Sequence, residues 1–218
     1  MRERVTFYVD GFNFYYGLRN KKRADGTWLC AYWIDVCKLF SQFLSENQIL
    51  EKVIYFTASP LNTDKQRRQS AFLNANKLQN GSQFEIVRGK YLKKSIKCPK
   101  CKYSILRPEE KKTDVNIAIR MIGDCVQDKT DVLVLVSGDS DLLPPVEFIQ
   151  KNYPDKKIRV YFPPTIISVE LRKNMNTRKG KVVFLENNKP KFVNSIMPDC
   201  VTNGEKTYSI PPKWKNSL

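Results

Sequence analysis

Residues 132–136 read VLVLV, five branched aliphatic residues with no polar interruption, and SGDSD follows at once. A strand with one wet face alternates polar and apolar residues. A short unbroken apolar run instead suits a strand buried on both faces, as in a parallel sheet covered by helices. RVTFYVD at 4–10 is a second strand-like run, and it too ends on an acid.

Strand-like runs and helical patterns alternate along the rest of the chain, the order that gives an α/β fold with a parallel sheet. A helix or ordered loop begins at Gly11. Over 33–45, Ile34, Cys37, Phe40, Phe43 and Leu44 recur at helical spacing, and 50–59 reads as a strand stopped by Pro60. A polar surface helix spans 63–80 and ends at Gly81. FEIVRGKYL continues as a third strand. Over 114–126, Val115, Ala118, Ile119, Ile122 and Val126 form one apolar helical stripe, with Asp114 on a neighbouring face. A helix over 141–152, a strand over 157–162 and a helix over 168–175 follow. The tail from 180 reads as a short strand and an extended, proline-containing peptide. At 218 residues, one domain over 1–178 with a packed extension over 179–218 is the expected organisation. The candidate insertion is a basic hairpin near 92–108.

Thirty-eight Lys and Arg against 22 Asp and Glu give +16, which favours a polyanionic partner over a small neutral one. The excess is concentrated between Arg88 and Lys112, where Lys93, Lys94, Lys97, Lys100, Lys102 and Lys111 are candidate phosphate contacts. The competing reading is a solvated lysine-rich face. No apolar run is long enough to span a membrane, and no signal-like segment opens the chain, so a soluble, cytoplasmic protein without a membrane partner is expected. The six cysteines are irregularly spaced, which favours reduced thiols over a disulfide framework.

Asp10 ends one buried strand, and Asp139 and Asp141 follow another. In open parallel sheets ligands gather outside the carboxyl ends of the strands, so these acids converge on one edge, with Asp114 as a fourth. Clustered carboxylates repel and stay ionised only beside positive charge. With no histidine in the chain, an all-oxygen set suits Mg²⁺ or Mn²⁺. Each acid also has a plainer role as a helix cap.

YVDGFNFYYGL, EEKKTDVNIAIRM and LVSGDSDLLPPVEFI resemble the motifs of the NYN domain family, of its LabA-like branch, within the PIN-like nuclease superfamily. They occur in the family's order over residues 4 to 175, and the tail segments SIMPDCV and IPPKW are similar as well. The resemblance implies a three-layer PIN-like, Rossmann-like α/β domain around a central parallel sheet, with a metal-dependent ribonuclease site. Carried over by motif, Asp10, Asp114, Asp139 and Asp141 would hold the metal. Asn13 would orient a carboxylate or phosphate, and Ser137 and Gly138 would shape the turn that presents Asp139.

The aromatics Phe12, Phe14, Tyr15 and Tyr16 fit either the core or stacking on unpaired bases. Cys98 and Cys101, in CPKC, suit a structural Zn²⁺, although such a site takes four ligands. Cys30 with Cys37, Cys125, Cys200 or a second copy of the chain could complete it. The alternatives are free thiols at a hairpin tip or a redox-labile pair. The expected function is metal-dependent hydrolysis of RNA, with single-stranded RNA the favoured partner and a homodimer one way of sharing an ion. The alternative is a nucleic-acid-binding module with a vestigial site.

Overall fold

The computed structural model describes residues 2–97, 99–101, 103–177 and 181–215. The side chains at 91–94, 96–97 and 105–111 are outside that description. The elements run β1 (Glu3–Asp10), α1 (Gly11–Ala24), α2 (Val36–Ser41), β2 (Gln48–Thr57), α3 (Thr63–Asn80), β3 (Phe84–Arg88), β4 (Lys90–Lys97) and β5 (Ser104–Lys111). Then come α4 (Thr113–Val126), β6 (Val132–Val136), α5 (Leu143–Asn152), β7 (Lys157–Phe162), α6 (Val169–Thr177), β8 (Lys181–Phe184), α7 (Lys189–Val193), β9 (Cys200–Thr202) and β10 (Thr207–Ser209).

Six strands form one sheet in the order β3-β2-β1-β6-β7-β8, and every neighbouring pair is parallel. The chain therefore builds outwards from β1 in one direction and then from β6 in the other. The change of direction leaves a crevice at the carboxyl ends of β1 and β6, the switch point where open α/β sheets take ligands. Asp10 ends β1 and Ser137 follows β6. The register aligns Val9 with Val136, which places those two residues side by side.

Alternation on the two central strands creates a core on each face. Val5, Phe7 and Val9 join Val132, Val134 and Val136 on the first face, under α1, α2, α3 and the tail residues Leu185, Phe192 and Met197. Tyr8, Leu133 and Leu135 face α4, α5 and α6 on the second. VLVLV is accordingly buried at all five positions.

Several expectations are corrected. The helix expected over 33–45 is only Val36–Ser41, because the Ile34 backbone forms an isolated bridge to Ile196 and Asp35 caps the helix by accepting from Lys38 N. The strand read through FEIVRGKYL is two strands. β3 closes the central sheet, and β4 pairs antiparallel with β5 in a separate ribbon. β2 ends at Thr57, before Pro60. The tail contributes α7 and the β9–β10 hairpin as well as the edge strand β8.

The largest correction concerns α4. Ile117, Met121 and Cys125 are buried, whereas Val115, Ile119 and Val126 are exposed. The helix carries two apolar stripes, and polar contacts select between them. Asp124, also buried, accepts from Tyr8 Oη at 2.9 Å and from Arg120 Nε at 3.0 Å. Arg120 reaches on to Glu85 of β3. Turning the other stripe inward would break this network and leave charge badly placed.

Candidate active site

Asp10 combines the end of β1 with the N-cap of α1. Its Oδ1 accepts from the backbone N–H of Phe12 and Asn13, each at 3.0 Å. Its Oδ2 accepts from Asn13 Nδ2 at 2.6 Å and Ser137 Oγ at 2.9 Å. The side chain is buried, and burial raises its pKa against the opposing pull of these four donors. Gly11 is required directly after it, because a Cβ there would lie 2.3 Å from Tyr55 Cε1 and 2.7 Å from Phe56 O.

Asn13 and Ser137 connect Asp10 to the turn after β6. Asn13 Oδ1 accepts from Gly138 N at 3.4 Å, and Ser137 Oγ accepts from Asp139 N at 3.1 Å. Gly138 passes so close to Ile166 that a Cβ would meet its Cγ2 at 2.5 Å. Asp139 caps the 3-10 turn Ser140–Leu142 by accepting from Asp141 N at 3.0 Å. Asp141 is exposed and Asp139 half-buried.

Asp114 lies in the first turn of α4 but does not cap it. The cap position is Lys112, held at φ 77° with no side-chain cap bond. The Asp114 carboxyl is pushed up to about 6, first by burial and then by the charges of Asp10, Asp139 and Asp141. All four acids drawn from the motifs thus share one electrostatic neighbourhood. They do not form a closed shell: among the described residues, no three Asp, Glu or Cys side chains are arranged to hold a metal ion. The fit to a hard cation therefore rests on the chemistry of the donors and on the repulsion felt by Asp114. Asp10 presents oxygens that already accept hydrogen bonds.

Outside this cluster, Lys100 and Cys101 are exposed. The side chains of Lys93, Lys94, Lys97 and Lys111, and residues Lys102 and Cys98, lie outside the described residues. Cys30, Cys37, Cys101, Cys125 and Cys200 are free thiols. Phe14 is core, whereas Phe12 is 36% exposed and rests on Tyr16 with ring centroids 4.5 Å apart. Sequence reasoning gave Ser137 only a turn-shaping role and missed that its hydroxyl joins Asp10 to Asp139. A serine at the end of an apolar strand beside the acid motif was the available signal. No described helix is long and apolar enough to cross a membrane.

A three-layer α/β domain with acids at its switch point is the class that these features define. The NYN domain model matches residues 4–178, and the chain belongs to that family, which lies within the PIN-like nuclease superfamily. A curated relative, 6-hydroxy-3-succinoylpyridine 3-monooxygenase HspA of Pseudomonas putida, is 25% identical over 194 residues, covering 73% of this chain and 59% of that protein. The chain thus spans under two thirds of that relative's length. A crystal structure of a protein of unknown function from Vibrio parahaemolyticus RIMD 2210633 matches with a TM-score of 0.54 and 21% identity, over 84% of this chain and 93% of that one. That likeness concerns the fold.

Proposed function

We propose that the chain is a metal-dependent ribonuclease of the LabA-like branch, with its site at the switch point between β1 and β6. The observation that carries this reading is the gathering of four carboxylates in a NYN-family domain, where burial first and then the charges of Asp10, Asp139 and Asp141 raise Asp114 to about 6. Asp10, Asp114, Asp139 and Asp141 would hold Mg²⁺ or Mn²⁺. When bound, such a cation supplies charge stabilisation at phosphate oxygens and activates water for attack. The protein's own part is orientation. Asn13 and Ser137 hold the Asp10 carboxylate in one rotamer, and Ser137 also fixes the backbone that presents Asp139. The excess of positive charge favours a nucleic-acid substrate, with the lysines of the β4–β5 ribbon as its candidate phosphate contacts.

A second reading has its own observation. Asp10 is fully satisfied, and no ready ligand set exists among the described residues. A binding module with a vestigial site would look like this. Incubating the purified chain with labelled single-stranded RNA and DNA, in Mn²⁺ and in EDTA, separates the two. The nuclease reading expects cleavage of RNA in Mn²⁺ that EDTA abolishes. Tight RNA binding that is indifferent to Mn²⁺, without cleavage of any strand, would establish the binding module instead.

A further inference from the structure

A cavity of about 290 Å³ opens beside the start of α1, the helix that Asp10 caps, between α1, the start of α3 and Trp214 near the end of the chain. It is at the lower end of the ~300–1,000 Å³ usual for ligand pockets, a size for one flat ring system rather than an extended ligand. Aromatic side chains form a large part of its walls. Phe12 rests on Tyr16, while Tyr15 stacks on Tyr32 at 5.9 Å and Tyr32 packs on Trp214 at 5.6 Å. Gly11, the residue after Asp10, is part of the same wall.

Gln69 of α3 also lines the cavity. Its Nε2 donates to Thr57 Oγ1 at 2.9 Å and to the Ala58 carbonyl at 3.1 Å. A carbonyl only accepts, so these bonds settle which end of the amide is which. Gln69 Oε1 is then a buried acceptor without a partner among the described residues. Such atoms are costly and call for a donor. Lys65 and Arg68 stand on the same wall, and neither forms an ion pair among the described residues.

We infer that this cavity is a base-binding subsite, taking one unpaired nucleobase of the RNA between its aromatic walls. A small turn of the Gln69 amide brings its unpartnered Oε1 to a ring N–H or exocyclic amine of the base, and the attached phosphate lies against Lys65 and Arg68. The choice of RNA as the source of the base rests on the nuclease reading. The shape and chemistry of the cavity do not. Stacking on aromatic side chains accepts any base, and every RNA base carries an N–H donor, so the subsite reads the unpaired state before it reads sequence.

The test is a set of titrations of the full chain in EDTA, followed by tryptophan fluorescence. The probes are AMP and UMP, their nucleosides, ribose 5-phosphate and a hydroxypyridine carboxylate. Saturable binding of the nucleotides is expected, with the nucleosides weaker and ribose 5-phosphate weakest. Gln69→Leu should weaken nucleosides and nucleotides alike by roughly 3- to 10-fold, the worth of one hydrogen bond. Should that variant fail to fold, Tyr16→Leu should weaken both by roughly tenfold through lost stacking. Lys65→Gln combined with Arg68→Gln should weaken nucleotides and leave nucleosides unchanged. Ribose 5-phosphate binding as tightly as AMP would overturn the inference, as would a hydroxypyridine carboxylate saturating a cavity that nucleotides do not enter. Cleavage of RNA by a chain that binds no nucleotide would remove the subsite and leave the nuclease. Nucleotide binding without cleavage in Mn²⁺ would do the reverse.

Discussion

Asp10 and Asp139 occupy the same edge of the sheet but carry different structural loads, so replacing them separates catalysis from stability. Asp10 accepts four hydrogen bonds, whereas Asp139 accepts one among the described residues, from a neighbouring backbone N–H. Asp139→Asn should abolish Mn²⁺-dependent cleavage and shift urea-unfolding stability by less than about 1 kcal/mol. Asp10→Asn should also abolish cleavage, but at a cost of about 1–3 kcal/mol, since its new amide would confront the Asn13 amide donor. Equal stability losses for the two variants would contradict this assignment of roles. Asp114 adds a pH test. Its pKa is raised in the fold from 3.8 to about 6, so between those values the folded chain binds the proton more tightly than the unfolded one. That contribution to stability is fully present below about pH 4 and is lost as pH rises through about 6. Asp114→Asn in EDTA should therefore match the wild type near pH 4 and exceed it near pH 7, by on the order of 1–2 kcal/mol after screening by solvent. Unfolding curves that run parallel across this range would show that the carboxyl is not perturbed.

At the scale of the element, α4 shows what a pattern of apolar residues leaves undecided. Its length and position were legible in the spacing of DVNIAIRMIGDCV, but its rotation was not, because two stripes of similar strength run along it. The choice depends on Tyr8 and Glu85, residues on distant strands whose proximity only the folded sheet creates. Ile117→Ala should accordingly cost about 2–5 kcal/mol, and Ile119→Ala about 0.5 kcal/mol or less, both read by thermal or urea melts. The reverse ranking would restore the stripe read from sequence. The same contrast holds at the site. The acids stood out because each ends a strand or opens a helix beside a recognisable motif. Gln69, Lys65 and Arg68 lie in a helix that reads as polar surface, and nothing local marks the face that borders the cavity. Tyr32 and Trp214 meet although 182 positions separate them in the sequence, and no short-range pattern reports such a pairing.

At the scale of the whole molecule, the tail completes both the sheet and the core on which the site rests. The family match ends at 178, yet β8 pairs with β7 beyond that point, and Phe192 is fully buried against Trp28 and Phe14. Trp33 Nε1 donates to the Pro198 carbonyl at 2.8 Å, tying the segment before α2 to the same tail. Phe14 lies one residue after Asn13 on α1, so packing lost at Phe192 reaches the helix whose first turn is capped by Asp10. Phe192→Ala should cost about 3–5 kcal/mol, as expected for an aromatic cavity in a packed core. Ending the chain at 178 would also uncover Trp28 and remove Trp214 from the aromatic cavity. Loss of cooperative unfolding is the expected outcome, measured by calorimetry, because removing several buried side chains exceeds the ~5–15 kcal/mol that holds a typical domain folded. A chain of residues 1–178 that melts cooperatively near the temperature of the full protein would show that the tail is an accessory layer. Retained binding of AMP by that shortened chain would further show that Trp214 is dispensable to the cavity.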